Sequence, residues 1–144
     1  MAHRCGFYIA QIKTISDRLL EKILEKRGID AFSGAQGRIL DVLWQQDGIS
    51  VREISNKTGL TMPTLTGMLD RMETQDMVRR EPDPTDRRKL KIMLSDQARN
   101  LEEEYTQISE DMDGVFGKGF SQEELIQLQE YLERILKNLK EAEG

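Results

Sequence analysis

The chain holds a single cysteine, a single histidine and three prolines, and it has no long apolar run. Each scarcity removes a class of function. Cys5 alone cannot form an intrachain disulfide, which suits a reducing cytoplasm. His3, the only histidine, argues against a structural zinc site or a Ser-His-Asp triad built within one chain. No segment approaches the ~20 apolar residues of a membrane span, and the N-terminus lacks the apolar core of a signal peptide. The expectation is a cytoplasmic protein without membrane contact, metal or cofactor. No nucleophile-base pair stands out, so an enzyme is the weakest reading. At 144 residues the chain is about one domain long and can bury a respectable core.

The net charge of -5 argues against a generic basic nucleic-acid binder, but the average hides a segregation. Residues 50–93 carry nine Lys or Arg against seven Asp or Glu, whereas residues 95–144 carry five against thirteen. The first 49 residues are nearly balanced, with seven against six. A localised basic footprint in the central third is compatible with this distribution. The acidic C-terminal third would repel DNA and has a different task.

Apolar spacing and capping signals predict four helices, a hairpin and two further helices. Residues 7–27 place Ile9, Ile12, Ile15, Leu19, Leu20, Ile23 and Leu24 at helical intervals, and Gly28 is a natural stop. Ser33 with Gln36 forms a capping-box pattern ahead of Ile39, Leu40, Leu43 and Trp44, and Asp47-Gly48 breaks that helix. Ser50 with Glu53 repeats the pattern for a short third helix. A fourth helix runs from about Met62 to Gln75 with Leu65, Met68, Leu69 and Met72 inward, and Pro63 is tolerated in its first turn. After the hairpin, Ser95 caps a long helix that is interrupted between Gly114 and Gly119. Ser121 with Glu124 opens the last helix, whose stripe is Leu125, Leu128, Leu132, Ile135 and Leu139. The stripes of the last two helices could pair within one chain or between two.

The third and fourth helices read as a helix-turn-helix. Gly59 follows Ser55 by four residues, where the turn needs a residue without a Cβ. Leu60 is expected to plug the core and Thr61 to cap the second helix. Met62, Pro63, Thr64, Thr66, Gly67, Asp70 and Arg71 then face outward. The N-terminal end of such a helix enters a major groove. There Thr64 and Thr66 can bond to bases or phosphates, and Met62 and Pro63 can touch a thymine methyl. Gly67 allows close approach to the backbone, and Arg71 suits a phosphate. The plainer alternative is a helical hairpin with a polar face.

The next stretch of chain weighs against that alternative. Met77-Val78-Arg79-Arg80 and Leu90-Lys91-Ile92-Met93-Leu94 read as strands flanking a turn that contains two prolines. A basic hairpin tip can touch a phosphate backbone or reach into a minor groove. Arg87 or Arg88 can enter a narrow minor groove, while the other, with Lys89, holds phosphates. Asp86 is harder to place against DNA. It is expected to pair with Arg80 or a neighbouring arginine and shape the loop.

These residues resemble the MarR family of bacterial transcriptional regulators over nearly the whole chain. The sharpest match is the wing, Arg80-Glu-Pro-Asp-Pro-Thr-Asp86-Arg87-Arg88, followed by Ile92-Met93-Leu94-Ser95 at the strand-to-helix junction. Thr64-Leu65-Thr66 and Leu69-Asp70-Arg71-Met72-Glu73 are similar to the family's recognition helix. The resemblance implies a mainly α fold with a small β-hairpin. Residues 33–94 would form the winged helix-turn-helix DNA-binding region, and residues 1–32 and 95–144 a helical dimerisation region. It further implies a homodimer on double-stranded palindromic operator DNA, usually a repressor, released by a small phenolic or lipophilic ligand.

Two features admit more than one reading. Cys5 invites comparison with the MarR branch that senses organic peroxides, but it sits one position out of that register, and a bystander thiol fits as well. Ile12, Leu43, Trp44, Tyr105 and Ile108 could line a ligand pocket, yet they are equally what a packed core needs. A winged helix can also serve as a protein-protein module, and only binding to duplex DNA separates the two.

Overall fold

The computed structural model describes residues 3–144. Among the described residues, seven helices and three short strands succeed one another as α1 (Cys5–Lys26), α2 (Gly34–Gln45), β1 (Ile49–Ser50), α3 (Val51–Thr58), α4 (Met62–Thr74), β2 (Val78–Pro82), β3 (Leu90–Leu94), α5 (Asp96–Arg99), α6 (Glu102–Phe116) and α7 (Gln122–Glu143). The fold is mainly helical with a small antiparallel sheet. The chain divides within α6 into two compact units, the first ending at Gln107 and the second running from Ile108 to Gly144.

The ends of the helices are set by local chemistry. Past Lys26, Gly28 adopts φ +70° and the Ile29 N–H returns to the Leu24 carbonyl at 2.9 Å, a left-handed termination that closes α1. Ser33 and Gln36 make the full reciprocal capping box of α2, as Ser121 and Glu124 do for α7. At α3 only half of the expected box forms. The Ser50 hydroxyl accepts from the Glu53 N–H, but Ser50 also belongs to strand β1, and the Glu53 carboxylate meets its hydroxyl instead. Thr61 does not cap α4 as expected; its hydroxyl donates to the Thr64 hydroxyl at 3.0 Å.

Two elements differ from the sequence expectation. The strand β1 pairs Ile49 with Ile92 and Ser50 with Lys91, so the hairpin is the larger part of a three-stranded sheet ordered β1-β3-β2. The long helix expected from Ser95 is divided at Asn100-Leu101 into α5 and α6, where the bonding pattern tightens as the Leu101 N–H reaches the Ala98 carbonyl.

The core of the first unit is drawn from the periodic positions. Ile39, Leu40, Leu43, Ile54, Leu65, Leu69, Met72 and Ile92 are fully buried. Leu60, expected as a core plug, is half-buried. In the sheet, Val78 opposes Leu94, Arg80 opposes Ile92, and Pro82 opposes Leu90. Directly opposed residues share a face, so Arg80 projects to the same side as the buried Val78, Ile92 and Leu94. Pro82 is tolerated because β2 is an edge strand. No helix among the described residues is long and apolar enough to cross a membrane.

Candidate nucleic-acid interface

The turn between α3 and α4 is built by short-range bonds. Gly59 caps α3 at φ +77° with its N–H on the Ser55 carbonyl, and the Ser55 hydroxyl donates to the Leu60 carbonyl at 2.6 Å. The Thr58 hydroxyl donates to the Ile54 carbonyl and accepts from the Leu60 N–H. With Leu65, Met68, Leu69 and Met72 buried, α4 presents Met62, Pro63, Thr64, Thr66, Asp70 and Arg71 to solvent, and Gly67 is half-covered. A Cβ added at Gly67 would meet nothing within 4 Å, so the surface above it is open.

The wing tip is ordered by two aspartates. Asp83 accepts from the Thr85 N–H and hydroxyl at 2.8 and 2.7 Å, and its own N–H reaches the Lys89 carbonyl across the loop. Asp86 accepts from the Arg88 N–H and Nε at 3.1 Å and from a terminal nitrogen at 3.3 Å. Bonds from Thr85 hold the Asp83 carboxyl below the usual aspartate range, and the Arg88 side chain, then its N–H, does the same for Asp86. Arg88 remains 91% exposed in spite of this pairing. Arg87 and Lys89 are exposed, and their side chains have no ion-pair or hydrogen-bond partner among the described residues.

Arg80 does not pair with Asp86. Facing the helices, it donates to Asp70 at 2.7 Å and to Glu73 at 3.1 Å, and its backbone N–H meets Glu73 at 3.3 Å. On the opposite face of β2, Arg79 pairs with Glu81 at 2.6 Å, which raises the Arg79 pKa. Sequence reasoning missed the Arg80 clamp. Its one visible trace is the i, i+3 spacing of Asp70 and Glu73, which places both on one side of α4.

A groove between α3 and the wing is lined by Ser50, Arg52, Met62, Arg88, Lys89 and Lys91. Arg52 and Lys91 are the cations here that the sequence did not single out. The groove therefore brings Met62, at the start of α4, beside Arg88 and Lys89 of the wing tip, with the acidic Glu53 and Asp83 also in its lining.

The proposed pocket residues are less unified. Trp44 and Tyr105 lie 5.1 Å apart between ring centroids, with Phe32 5.9 Å from Tyr105. The Trp44 Nε1 donates to the Ala98 carbonyl at 3.0 Å. Leu43 is core, Ile12 is 57% exposed on α1, and Ile108 is buried in the second unit. Cys5 is the exposed first residue of α1.

Known proteins share this arrangement. The MarR family profile matches residues 32–90. The HTH-type transcriptional regulator TtmR of Methylorubrum extorquens is 43% identical over 63 residues, covering 44% of this chain and 32% of TtmR. MgrA of Staphylococcus aureus, another HTH-type transcriptional regulator, is 26% identical over 98 residues, covering 68% of this chain and 65% of MgrA. The matched part thus spans about a third of TtmR and 65% of MgrA. Among solved structures, a cysteine-to-serine mutant of MarR from E. coli complexed with operator DNA superposes with a TM-score of 0.80 at 26% identity, covering 91% of this chain and 92% of that one. The S. aureus MepR-DNA complex superposes with a TM-score of 0.80 at 25% identity, covering 94% and 96%. The relatives are transcriptional regulators, and the fold agrees with that of the MarR structures: residues 32–90 of the chain match the MarR family.

Proposed function

We propose that the protein is a transcriptional regulator that binds double-stranded DNA through α4 and the wing. The observation that carries this reading is the groove in which Met62, at the exposed start of α4, lies with Arg52, Arg88, Lys89 and Lys91. Thr64, Thr66 and Met62 stand where a major groove would receive the helix N-terminus. Arg88, oriented by Asp86 and almost fully exposed, is pre-set for a narrow minor groove, where negative potential is strongest. Arg87, Lys89 and Arg71 suit phosphates.

The functional form in this reading is a homodimer on a palindromic operator, acting as a repressor. Supporting it, α7 has no buried residue, and Leu128, Leu132, Leu136 and Leu139 are exposed along one side. On α1, Phe7, Tyr8, Ile12 and Ile15 are exposed as well. Such apolar faces call for a partner. Residues 1–32 and 95–144 are accordingly assigned to dimerisation, and residues 33–94 to DNA.

Selection of bound sequences from random duplex DNA tests the whole reading. An enriched inverted repeat supports a dimeric operator binder. No enrichment, together with no duplex binding at low salt, leaves the winged helix as a protein-protein module. Release by a phenolic or lipophilic ligand is tested through Trp44, the only tryptophan. Quenching by a small phenol with parallel loss of duplex binding supports it, and no change in either removes it.

A further inference from the structure

Arg80 stands at an unusual place for a cation. It sits mid-strand on the core-facing side of β2, with its side chain only 19% exposed. Its guanidinium spans two carboxylates of α4, Asp70 at 2.7 Å and Glu73 at 3.1 Å, and comes within 3.5 Å of the Thr66 carbonyl. The Arg80 N–H adds a fourth link, to Glu73. The planar fork of arginine allows this division, with one terminal nitrogen for each carboxylate, and a lysine could not reproduce it.

The consequence is mechanical as well as electrostatic. The strand that carries one side of the wing is tied to the middle and C-terminal half of α4, while the N-terminal end of α4 points at DNA. Asp70 is 64% exposed and Glu73 is 45% exposed, so both carboxylates lie on the surface that would approach phosphates. Arg80 offsets their charge there.

We propose that Arg80 is a positioning residue that couples the wing to the recognition helix, so that the two sets of DNA contacts are made as one unit. This rests on the DNA-binding reading above. Arg80 itself touches α4 and not the nucleic acid. Removing it leaves α4 and the wing individually intact but lets the angle between them vary.

The test is a double-mutant cycle on a duplex obtained by selection. Thr66→Ala removes a helix contact and Arg87→Ala a wing contact, and dissociation constants are measured for each single variant and the pair. In the wild type the two losses are expected to be non-additive by about fivefold. In an Arg80→Gln background they become additive, while the separate loss at each contact persists. A merely structural role for Arg80 would lower the melting temperature and weaken binding without abolishing the coupling. Arg80→Lys keeps a cation and should also lose the coupling. Asp70→Ala removes the shorter link at an exposed position and should reduce it, so the question can be answered even if Arg80 variants fold poorly. Coupling that persists undiminished in folded Arg80 or Asp70 variants, or additivity in the wild type, overturns the proposal. Absence of any wild-type binding to duplex DNA instead overturns the DNA-binding reading itself.

Discussion

The Asp47 carboxylate accepts the Leu94 N–H at 2.9 Å, joining the residues after α2 to the last residue of the wing's return strand. The same oxygen accepts the Gly48 N–H at 2.9 Å, and the other oxygen receives Arg99 at 2.8 Å. One side chain therefore fixes the exit of the wing and the start of the segment leading to α6. Asp47→Ala should destabilise the fold by about 1–3 kcal/mol, because the Leu94 N–H loses its acceptor. Asp47→Asn retains an acceptor oxygen and should cost less. Urea denaturation of the three proteins measures the order.

The buried stripe of α4 sets the helix on the core. Leu65 is fully buried, two residues from the exposed Pro63. Leu65→Ala should cost about 2–5 kcal/mol through lost burial and the cavity left behind. Thr66→Ala, on the exposed face, should stay within about 0.5 kcal/mol of wild type. Parallel thermal melts distinguish the two faces.

Two backbone positions should respond with opposite signs. Gly59 has φ +77° and open space around it, so Gly59→Ala incurs backbone strain alone, roughly 1–2 kcal/mol. Asp76 ends α4 at φ +59°, where glycine is relaxed, and Asp76→Gly should gain about 0.5–1 kcal/mol. Chemical denaturation reads both.

Gly67 separates fold from function. In the interior of α4, with nothing within 4 Å of an added Cβ, Gly67→Ala should stabilise the helix by about 0.8–1 kcal/mol. If α4 approaches DNA closely there, the same change weakens duplex binding. A higher melting temperature with lower affinity is the expected pair of results. Unchanged affinity would remove Gly67 from the interface.

The wing loop carries a pH signature. The folded Asp86 carboxyl is held below its ordinary pKa by Arg88, and Asp83 by Thr85. A depressed folded pKa means that the loop's stabilisation is complete above the ordinary aspartate value of about 3.9. It is then lost as pH falls through the folded pKa. In carboxyl-detected NMR titration, Asp86 should protonate at lower pH in the wild type than in Arg88→Ala. Coincident titration curves would show that the pair does not persist in solution.

Local signals carried most of the fold. The Ser33-Gln36 and Ser121-Glu124 boxes, the Gly28 and Gly59 terminations and the α4 stripe depend on residues within about four positions of one another, so they are legible in a single sequence. Strand β1 was not, because two residues, Ile49 and Ser50, are too few to show an alternation. The break at Asn100-Leu101 has no glycine or proline to announce it. At the candidate site, the exposed face of α4 and the cations of the wing tip were legible. The partners of those cations were not. Arg80 finds Asp70 and Glu73 because strand register turns it inward, and of the two expected partners Asp86 takes the neighbouring arginine, Arg88, rather than Arg80.

The central claim is tested most directly at the wing arginines. Fluorescence anisotropy with a selected duplex, repeated over a salt series, should show wild-type binding that weakens steeply with salt. Arg87→Ala and Arg88→Ala should bind more weakly and with a shallower salt dependence, while their circular dichroism spectra stay unchanged. Equal binding by the wild type and both variants would contradict the account.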